Sequence, residues 1–460
     1  MIMRLHALAS AATLLGLAGF TGAPYAAVSA DEAKQLGTTL TEFGAIKAGN
    51  ADGSIPPYTG GLTTPPPDFK PDSGFWADPF KDEKPILRID AKNVDQYADK
   101  LSAGQIALIK KYPNTYYLNV YKSHRTAAYP PEVLRATVRN ATTCKTLKEG
   151  LAIDTACRGG IPFPIPKTGY EAMWNQMLRY QGNGTISTTS SRTWVVDSSG
   201  KPTITAQQQT VQDFPFYQVD RTDRDPKMLW RTYSISTAPA RRAGEMTGLM
   251  DFNDPTEQPR KAWSYTPGQR RIKLSPEFSY DTPVASMGGV VLFDELFVFS
   301  GKMDRFDFKL LGKKEMYIQY NGYKGAYDCP VPEKALMPSH VNPECERWEL
   351  HRVWVVEATL KPGQRHVYSK RVYYFDEDLT GAANYDAFDQ NGVLYRAMFQ
   401  STAPMYDKRI PFSAKNVVYD LNKGMYAYVN DVMVGGFTVT KALPERELAP
   451  EAIVGRETQR

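Results

Sequence analysis

Carboxylates are the residues in this chain best placed to do chemistry. Glu349, Glu357, Asp376-Glu377-Asp378 and Asp294-Glu295 lie in or beside stretches of strong strand character. Two carboxyl groups at the right separation hydrolyse glycosidic bonds, but spacing along a chain does not set that separation. Asp376–Asp378 ends a strand, where acids usually serve turns. Glu357 sits in mid-strand between Val355 and Thr359 and is the sharper candidate. An enzyme reading would therefore be a carboxylate-dependent hydrolase of glycans or esters.

Nothing else supplies a reaction centre. The histidines, His6, His124, His340, His351 and His366, are scattered and show no HExxH or HxH spacing. There is no G-x-S-x-G, phosphate-binding loop or dinucleotide fingerprint. No metal or cofactor is expected. The four cysteines fall into two local pairs, Cys144/Cys157 and Cys329/Cys345. An even count in an exported chain favours disulfides, which leaves no thiol nucleophile. Arg241-Arg242, Arg260-Lys261, Arg270-Arg271 and Lys313-Lys314 read as solvated strand ends, or as a rim for an anionic headgroup or an acidic partner. Asn50–Ser54 has an oxygen-rich look, but lacks the bidentate acid of a calcium loop and reads as a turn.

Composition narrows the class. The chain has 460 residues, is 42% hydrophobic and 23% charged, and carries a net charge of +5. That charge is small for the length and argues against nucleic acid as a partner. Tyr 27, Phe 20 and Trp 7 favour strands, and Gly 34 with Pro 33 implies many turns. Arg4, the apolar run Leu5–Phe20 and the small residues Val28-Ser29-Ala30 form an export signal, with cleavage expected after Ala30. Leu17-Ala18-Gly19-Phe20 resembles a lipobox with Phe in place of the lipidated Cys, so no acyl anchor is expected. The mature chain is expected in the periplasm.

The elements that must hold these side chains follow from periodicity. Residues 31–180 read as an extended Pro/Gly-rich arm with short helices, among them Asn93–Lys111 and one capped at Thr168 or Gly169 and running to about Tyr180. From Thr185 strands dominate: Thr185–Val196, Thr203–Asp213, Lys227–Ser236, Glu245–Phe252, Lys261–Leu274, Glu315–Tyr320, Arg347–Leu360, Arg365–Phe375, Leu394–Gln400, Asn416–Asp420 and Tyr426–Val429. Thr282–Gly301 interrupts them and reads as a short helix with Phe293, Leu296 and Phe297 on one face, a lid across the sheet. The tail after Lys441 reads as loosely held.

The longest ribbon is Arg347–Asp378, with Lys361-Pro362-Gly363-Gln364 as a type II turn. A two-residue loop would set Trp354 opposite Arg371, Val353 opposite Val372 and Glu357 opposite Tyr368. Both faces mix apolar bulk with charge, which suits a curved sheet around a hollow. One face is expected to line that hollow. A ribbon packed solidly on both faces would take away the physical basis of a carrier, with Trp354 against Arg371 the contact that decides it.

Several blocks resemble the DUF1329 family: TEFGAIKAGNADGSIPPYTGG at 41–61, GGIPFPIPKTGYEAMWNQMLRY at 159–180, YTPGQRRIK at 265–273, FDFKLLGKKEMYIQYN at 306–321, and the ribbon itself. They occur in order and span nearly all of the mature chain. Leu379-Thr380 depart from the pattern, where an aromatic is expected. The family is similar to outer-membrane lipoprotein-sorting proteins. The resemblance implies a mainly β (α+β) fold: a large curved antiparallel sheet, a LolA-like half-open β-barrel with short helices plugging its mouth. Residues 31–460 would form a single domain of this type. It also implies an apolar hollow for a lipid or other hydrophobic molecule, and partners in an inner-membrane RND/MMPL-type transporter and an outer-membrane protein. It implies no catalytic residues.

The hollow needs an adaptable apolar lining. Trp230, Met246, Met250, Trp263, Tyr265 and Trp354 are the candidates. Trp263 and Tyr265 share a strand face by the two-residue period, and so do Met246, Met250 and Phe252. Methionine adapts to varied apolar shapes. Three readings follow: a non-catalytic periplasmic carrier, the hydrolase centred on Glu357, and a structural adaptor with a filled hollow.

Overall fold

A computed structural model describes residues 28–458. Most of the expected export signal, including Arg4, His6 and the lipobox-like tract, lies outside the described residues. Strands follow the sequence pattern closely. In chain order they are β1 (Leu87–Ile89), β2 (Leu118–Val120), β3 (Thr146–Leu147), β4 (Ala152–Ile153), β5 (Thr185–Val196), β6 (Pro202–Asp213), β7 (Met228–Ala238), β8 (Met246–Phe252), β9 (Lys261–Thr266) and β10 (Arg271–Leu274). The second half adds β11 (Phe306–Gln319), β12 (Trp348–Leu360), β13 (Lys370–Asp376), β14 (Gly381–Phe388), β15 (Leu394–Thr402), β16 (Ser413–Asp420), β17 (Met425–Asp431) and β18 (Thr438–Thr440). The helices are short: α1 (Ala30–Ala33), α2 (Ala103–Lys111), α3 (Pro131–Thr143), α4 (Gly169–Met177), α5 (Tyr323–Tyr327) and α6 (Pro450–Thr458).

Apart from the β3–β4 hairpin, these strands form one 16-stranded sheet in the order β1-β2-β12-β13-β14-β15-β16-β17-β5-β6-β7-β8-β9-β10, with β11 beside β12 and β18 beside β5. Every pairing is antiparallel except one bridge, Trp348 to Val120. The sheet stays open and does not close into a barrel. It is strongly curved: side chains of β15 and β8, six steps apart in this order, line one cavity.

Two rows of paired residues define the faces, since directly paired residues point the same way. Val356, Tyr373, Tyr385, Met398 and Val418 are in register across β12–β16 on the concave face. The neighbouring row, Glu357, Val372, Asp386, Ala397 and Tyr419, faces the convex side. There α2 covers it, docked by the Gly104 N–H on Asp386 Oδ1 at 3.0 Å.

The ribbon keeps its expected turn but not its expected register. The Gln364 N–H donates to the Lys361 carbonyl at 3.1 Å and Gly363 has φ +78°, as a type II turn requires. Pairing resumes only at Lys370, so Trp354 faces Phe375, Val353 faces Asp376 and Glu357 faces Val372. The delay has a cause: His366 and Tyr368 leave the strand to meet buried acids of the 280–301 segment. The shift is four residues, an even number, so faces survive while partners change. Both faces of the ribbon are packed and it does not line the hollow, so the basis the ribbon was expected to give a carrier is absent.

Other differences are local. The expected helix Asn93–Lys111 breaks into a 3₁₀ turn, Val94–Lys100, and α2, because Ser102 and Gln105 form a capping box there. Lys261–Leu274 is a hairpin rather than one strand. β14 was not expected from the pattern. Thr282–Gly301 is not a helix. The tail after Lys441 is pinned: Arg231 donates to Glu445 at 2.5 and 2.7 Å, and Leu448 and Ile453 of the tail are each only 1% exposed. Both disulfides, Cys144–Cys157 and Cys329–Cys345, are formed.

Candidate functional site: two cavities under a flap

The concave face of β5–β10 is lined by short side chains. Thr188, Thr210, Ser234, Thr247 and Ser264 are paired in register across β5–β9. Such residues cannot fill a curved sheet, so something must cross it. The crossing element is residues 280–294, a hairpin-like flap. The Asp294 N–H donates to the Tyr280 carbonyl at 2.9 Å, the Phe293 N–H to Thr282 at 2.9 Å and the Val284 N–H to Val291 at 2.8 Å. Gly288 and Gly289 turn its tip with φ +62° and +70°. The tip rests on β5 and β6: Thr205 Oγ1 donates to the Ser286 carbonyl at 2.9 Å, and a Cβ on Gly288 would lie 2.8 Å from Val195 Cγ2.

The base of the flap is anchored by buried charge. Arg371 Nη2 lies 2.8 and 2.9 Å from the two Asp294 oxygens. His366 Nδ1 accepts the Tyr368 N–H, which leaves Nε2–H to donate to Asp294 at 3.0 Å. Burial favours the neutral acid, but Arg371 and His366 outweigh it and hold the Asp294 carboxyl well below its usual range. Tyr368 donates to Glu295 at 2.7 Å, and Arg396 Nε lies 3.6 Å from the same oxygen. The expected lid is therefore fixed at its Asp294-Glu295 end. Only its tip is lightly held.

Two cavities remain between flap and sheet. One, about 290 Å³, is apolar: Trp174, Met177, Leu178, Leu229, Trp230 and Phe252 line it, with Phe278 at the flap end. Its one buried ion pair is Asp251 with Arg260, at 2.6 and 2.7 Å. The other, about 300 Å³, has a polar sheet wall of Thr, Ser and Gln, roofed by Phe293 of the flap and by Leu296 and Phe297 just beyond it. Phe278 borders both cavities and stacks on Phe293 at 4.6 Å. Phe297 meets Trp230 edge-on at 5.5 Å. Phe297 and Val298 have φ +55° and +76°, strained values for side chains other than glycine that turn the chain at this partition. The sizes reach the lower end of small-molecule pockets.

α4 brings three of the apolar residues. Thr168 Oγ1 accepts the Glu171 N–H and Glu171 Oε2 accepts the Thr168 N–H, both at 3.2 Å, a capping box that fixes the helix start. Gly169 lets the helix touch β11, since a Cβ there would lie 2.4 Å from the Phe308 carbonyl. Trp174 then donates to the Gly150 carbonyl at 2.9 Å.

The structure divides the sequence candidates. Trp230 lines the apolar cavity. Met246, Met250, Trp263 and Tyr265 do come together, with Met246 paired to Tyr265, but on the convex face under Leu448 and Ile453 of the tail. Phe252, expected beside the methionines, lies past an irregularity in the β7–β8 pairing and lines the apolar cavity instead. Trp354 lies on the filled half, 4.4 Å from Lys313 Nζ and beside Phe43 and Ala172. Phe293, Leu296 and Phe297 share a surface as expected, without the helix. Sequence reasoning missed Trp174, Met177 and Leu178, whose i, i+3, i+4 spacing on a capped helix was a usable signal.

The candidate acids lie elsewhere. Glu357 is on the convex-face row. Glu349 is enclosed by Arg347 at 2.6 Å, Asn321 at 3.0 Å and His351 at 3.1 Å. Burial works against the charged form of His351, but Glu349 and Asp376 outweigh it and raise its pKa. Burial pushes Asp376 up to about 7. Among the described residues no group of three or more His, Cys, Asp or Glu is placed to hold a metal ion. No helix there is long and apolar enough to cross a membrane.

A mainly β chain with an open curved sheet and a roofed concave face is the class these features define. The chain belongs to the DUF1329 family, described as a protein of unknown function, whose pattern matches residues 88–453. It is 42% identical over 409 residues, 87% of each chain, to the uncharacterized protein PA3922 of Pseudomonas aeruginosa. It is also similar to a crystal structure of a DUF1329 family protein from Desulfovibrio piger, at 14% identity and TM-score 0.41, covering 62% of this chain and 97% of that one. A LolA superfamily protein from Nitrosomonas europaea is similar at 9% identity and TM-score 0.36, covering 62% of this chain and 99% of that one.

Proposed function

We propose that the protein is a non-catalytic periplasmic carrier for a lipid or other hydrophobic molecule. The apolar cavity beside Trp230, with the second cavity under the flap on the other side of Phe278, carries this reading. Apolar surface buried there contributes about 25 cal/mol per Å². The lightly held flap tip, attached through Thr205, supplies an entry that the anchored base does not. The export signal and the disulfides support the compartment. Support against catalysis comes from Glu349, Glu377, Asp378, Asp294 and Glu295, which are held in ion pairs or hydrogen bonds with neighbouring side chains, and from Glu357, which stands on the convex face away from both cavities. The family resemblance adds an RND/MMPL-type transporter of the inner membrane and an outer-membrane protein as partners in the shuttle.

The test is native mass spectrometry of protein released from its own periplasm without detergent, together with a tryptophan-fluorescence titration by long-chain alcohols. A bound apolar mass and a saturable response that is lost in Ala262→Leu are expected. A ligand-free mass with no saturable response overturns the reading.

A further inference from the structure

One buried charge on the concave face lacks a counter-ion. Arg179, just past the end of α4, is 5% exposed. Every other arginine buried to a similar degree among the described residues meets a carboxylate, as Arg371 meets Asp294 and Arg125 meets Asp378. Arg179 meets none. Its Nη1 donates to the Gln176 carbonyl at 3.0 Å, and its Nε has no hydrogen-bond partner. Its guanidinium stands 6.0 Å from the Phe297 ring. Desolvation pushes its pKa down to about 10, the direction expected of a cation waiting for an anion. A buried charge without a partner is costly to a fold, so its retention needs a reason.

The position is built. Gly381 opens β14 where the arginine stem passes, and a Cβ there would lie 2.6 Å from Arg179 Cδ. Arg179 borders the polar cavity and also a small void, about 20 Å³, between it and the apolar one. Gln181 and Gln212 line the same void, with Met177 and Trp230 on its apolar side. Two carboxylates lie nearby and both are already neutralised. Asp251 is paired with Arg260 at 2.6 Å, and Glu295 has Arg396 Nε at 3.6 Å and accepts the Tyr368 hydroxyl at 2.7 Å. Arg242 at the cavity edge is paired with Glu245 at 2.8 Å. Lys415, which also borders the polar cavity, donates to the Tyr428 hydroxyl at 3.3 Å and has Glu346 and Asp431 as its counter-charges, which leaves Arg179 as the buried cation there without an acid.

We propose that the cavities hold an amphiphile with an acidic headgroup, its carboxylate or phosphate on Arg179 and its hydrocarbon chain beside Trp230. This rests on the carrier reading and names the chemistry of its ligand. Guanidinium matches either oxyanion with two parallel hydrogen bonds, and the Gln181 and Gln212 amides add neutral donors.

The test compares dodecanoate, dodecyl phosphate and dodecanol on the mature chain, by calorimetry or fluorescence at fixed salt. The two acids are expected to bind at least tenfold more tightly than the alcohol, and their ratio tells which headgroup is preferred. Arg179→Gln and Arg179→Met are expected to erase that preference while leaving dodecanol affinity within about twofold. Both variants remove an unpaired buried charge, so their ligand-free melting temperatures should match or exceed wild type. The wild-type preference is a readout that no variant's folding can obscure. Equal binding of acid and alcohol by the wild type overturns the headgroup assignment while leaving the carrier intact. An acid preference that survives both variants also overturns it. Failure of all three ligands to bind overturns the carrier reading itself.

Discussion

The two halves of the sheet share a backbone plan and differ in what stands on the concave face. Across β12–β16 the row is Val356, Tyr373, Tyr385, Met398, Val418. Across β5–β9 it is Thr188, Thr210, Ser234, Thr247, Ser264. Large side chains on a curved strand reach the covering layer, so β12–β14 are filled and only Met398 and Val418, at the end of the row, border the polar cavity. Small hydroxylated ones do not, and the second half keeps two cavities and needs a flap. Curvature alone therefore makes no binding site; side-chain volume on one face decides where the hollow falls. The filled half also carries the buried ion pairs that anchor the flap, so it serves as foundation and the other half as vessel.

Breaking the anchor should have the largest effect. Arg371→Ala leaves Asp294 and His366 buried without their cation, and is expected to cost about 3–5 kcal/mol in urea unfolding. A loss below about 1 kcal/mol would mean that the two halves are not coupled through this pair.

A dry polar group in the filled half gives the next effect. Burial pushes the Asp386 carboxyl from 3.8 up to about 7. Between those values the folded state holds a proton that the unfolded state has released. The contribution is fully present below 3.8 and falls as pH rises, by about 1.4 kcal/mol per unit at most. Asp386→Asn should therefore flatten the decline of stability between about pH 4 and pH 7. His351, also raised, acts in the same sense and Glu349, lowered, in the opposite one. The difference between variant and wild type isolates Asp386. Parallel melting curves across that range would contradict the assignment.

The smallest effect is the most diagnostic of the comparison. Ala358 packs in the filled core at 0% exposure, whereas Ala262 lines the apolar cavity. Ala358→Leu should cost about 1–3 kcal/mol by overpacking, and Ala262→Leu less than about 1 kcal/mol. Equal costs would show that the second half is as full as the first.

Much of this was legible in the sequence. The two-residue period placed most long strands within a few residues, paired Met246 with Met250 and Trp263 with Tyr265, and grouped Phe293, Leu296 and Phe297. The α4 cap and both cysteine pairs were also readable. Glu357 and the Met/Trp/Tyr group misled for one reason: alternation shows that residues share a face but not which face is concave. The ribbon register slipped because the capture of His366 and Tyr368 by Asp294 and Glu295 is a contact across about seventy residues, outside the reach of turn chemistry. The tail looked free because its anchors, Arg231 and the convex apolar patch, lie far upstream.

By itself the sequence determined the family, the strand-rich class, the helix cap and the face-sharing sets, all products of local geometry and covalent spacing. The tertiary structure decided the register, the sense of curvature, which patch the tail would cover, and where an arginine would stand without an acid. Those depend on the summed volumes and charges of side chains that meet only when distant strands close on one another.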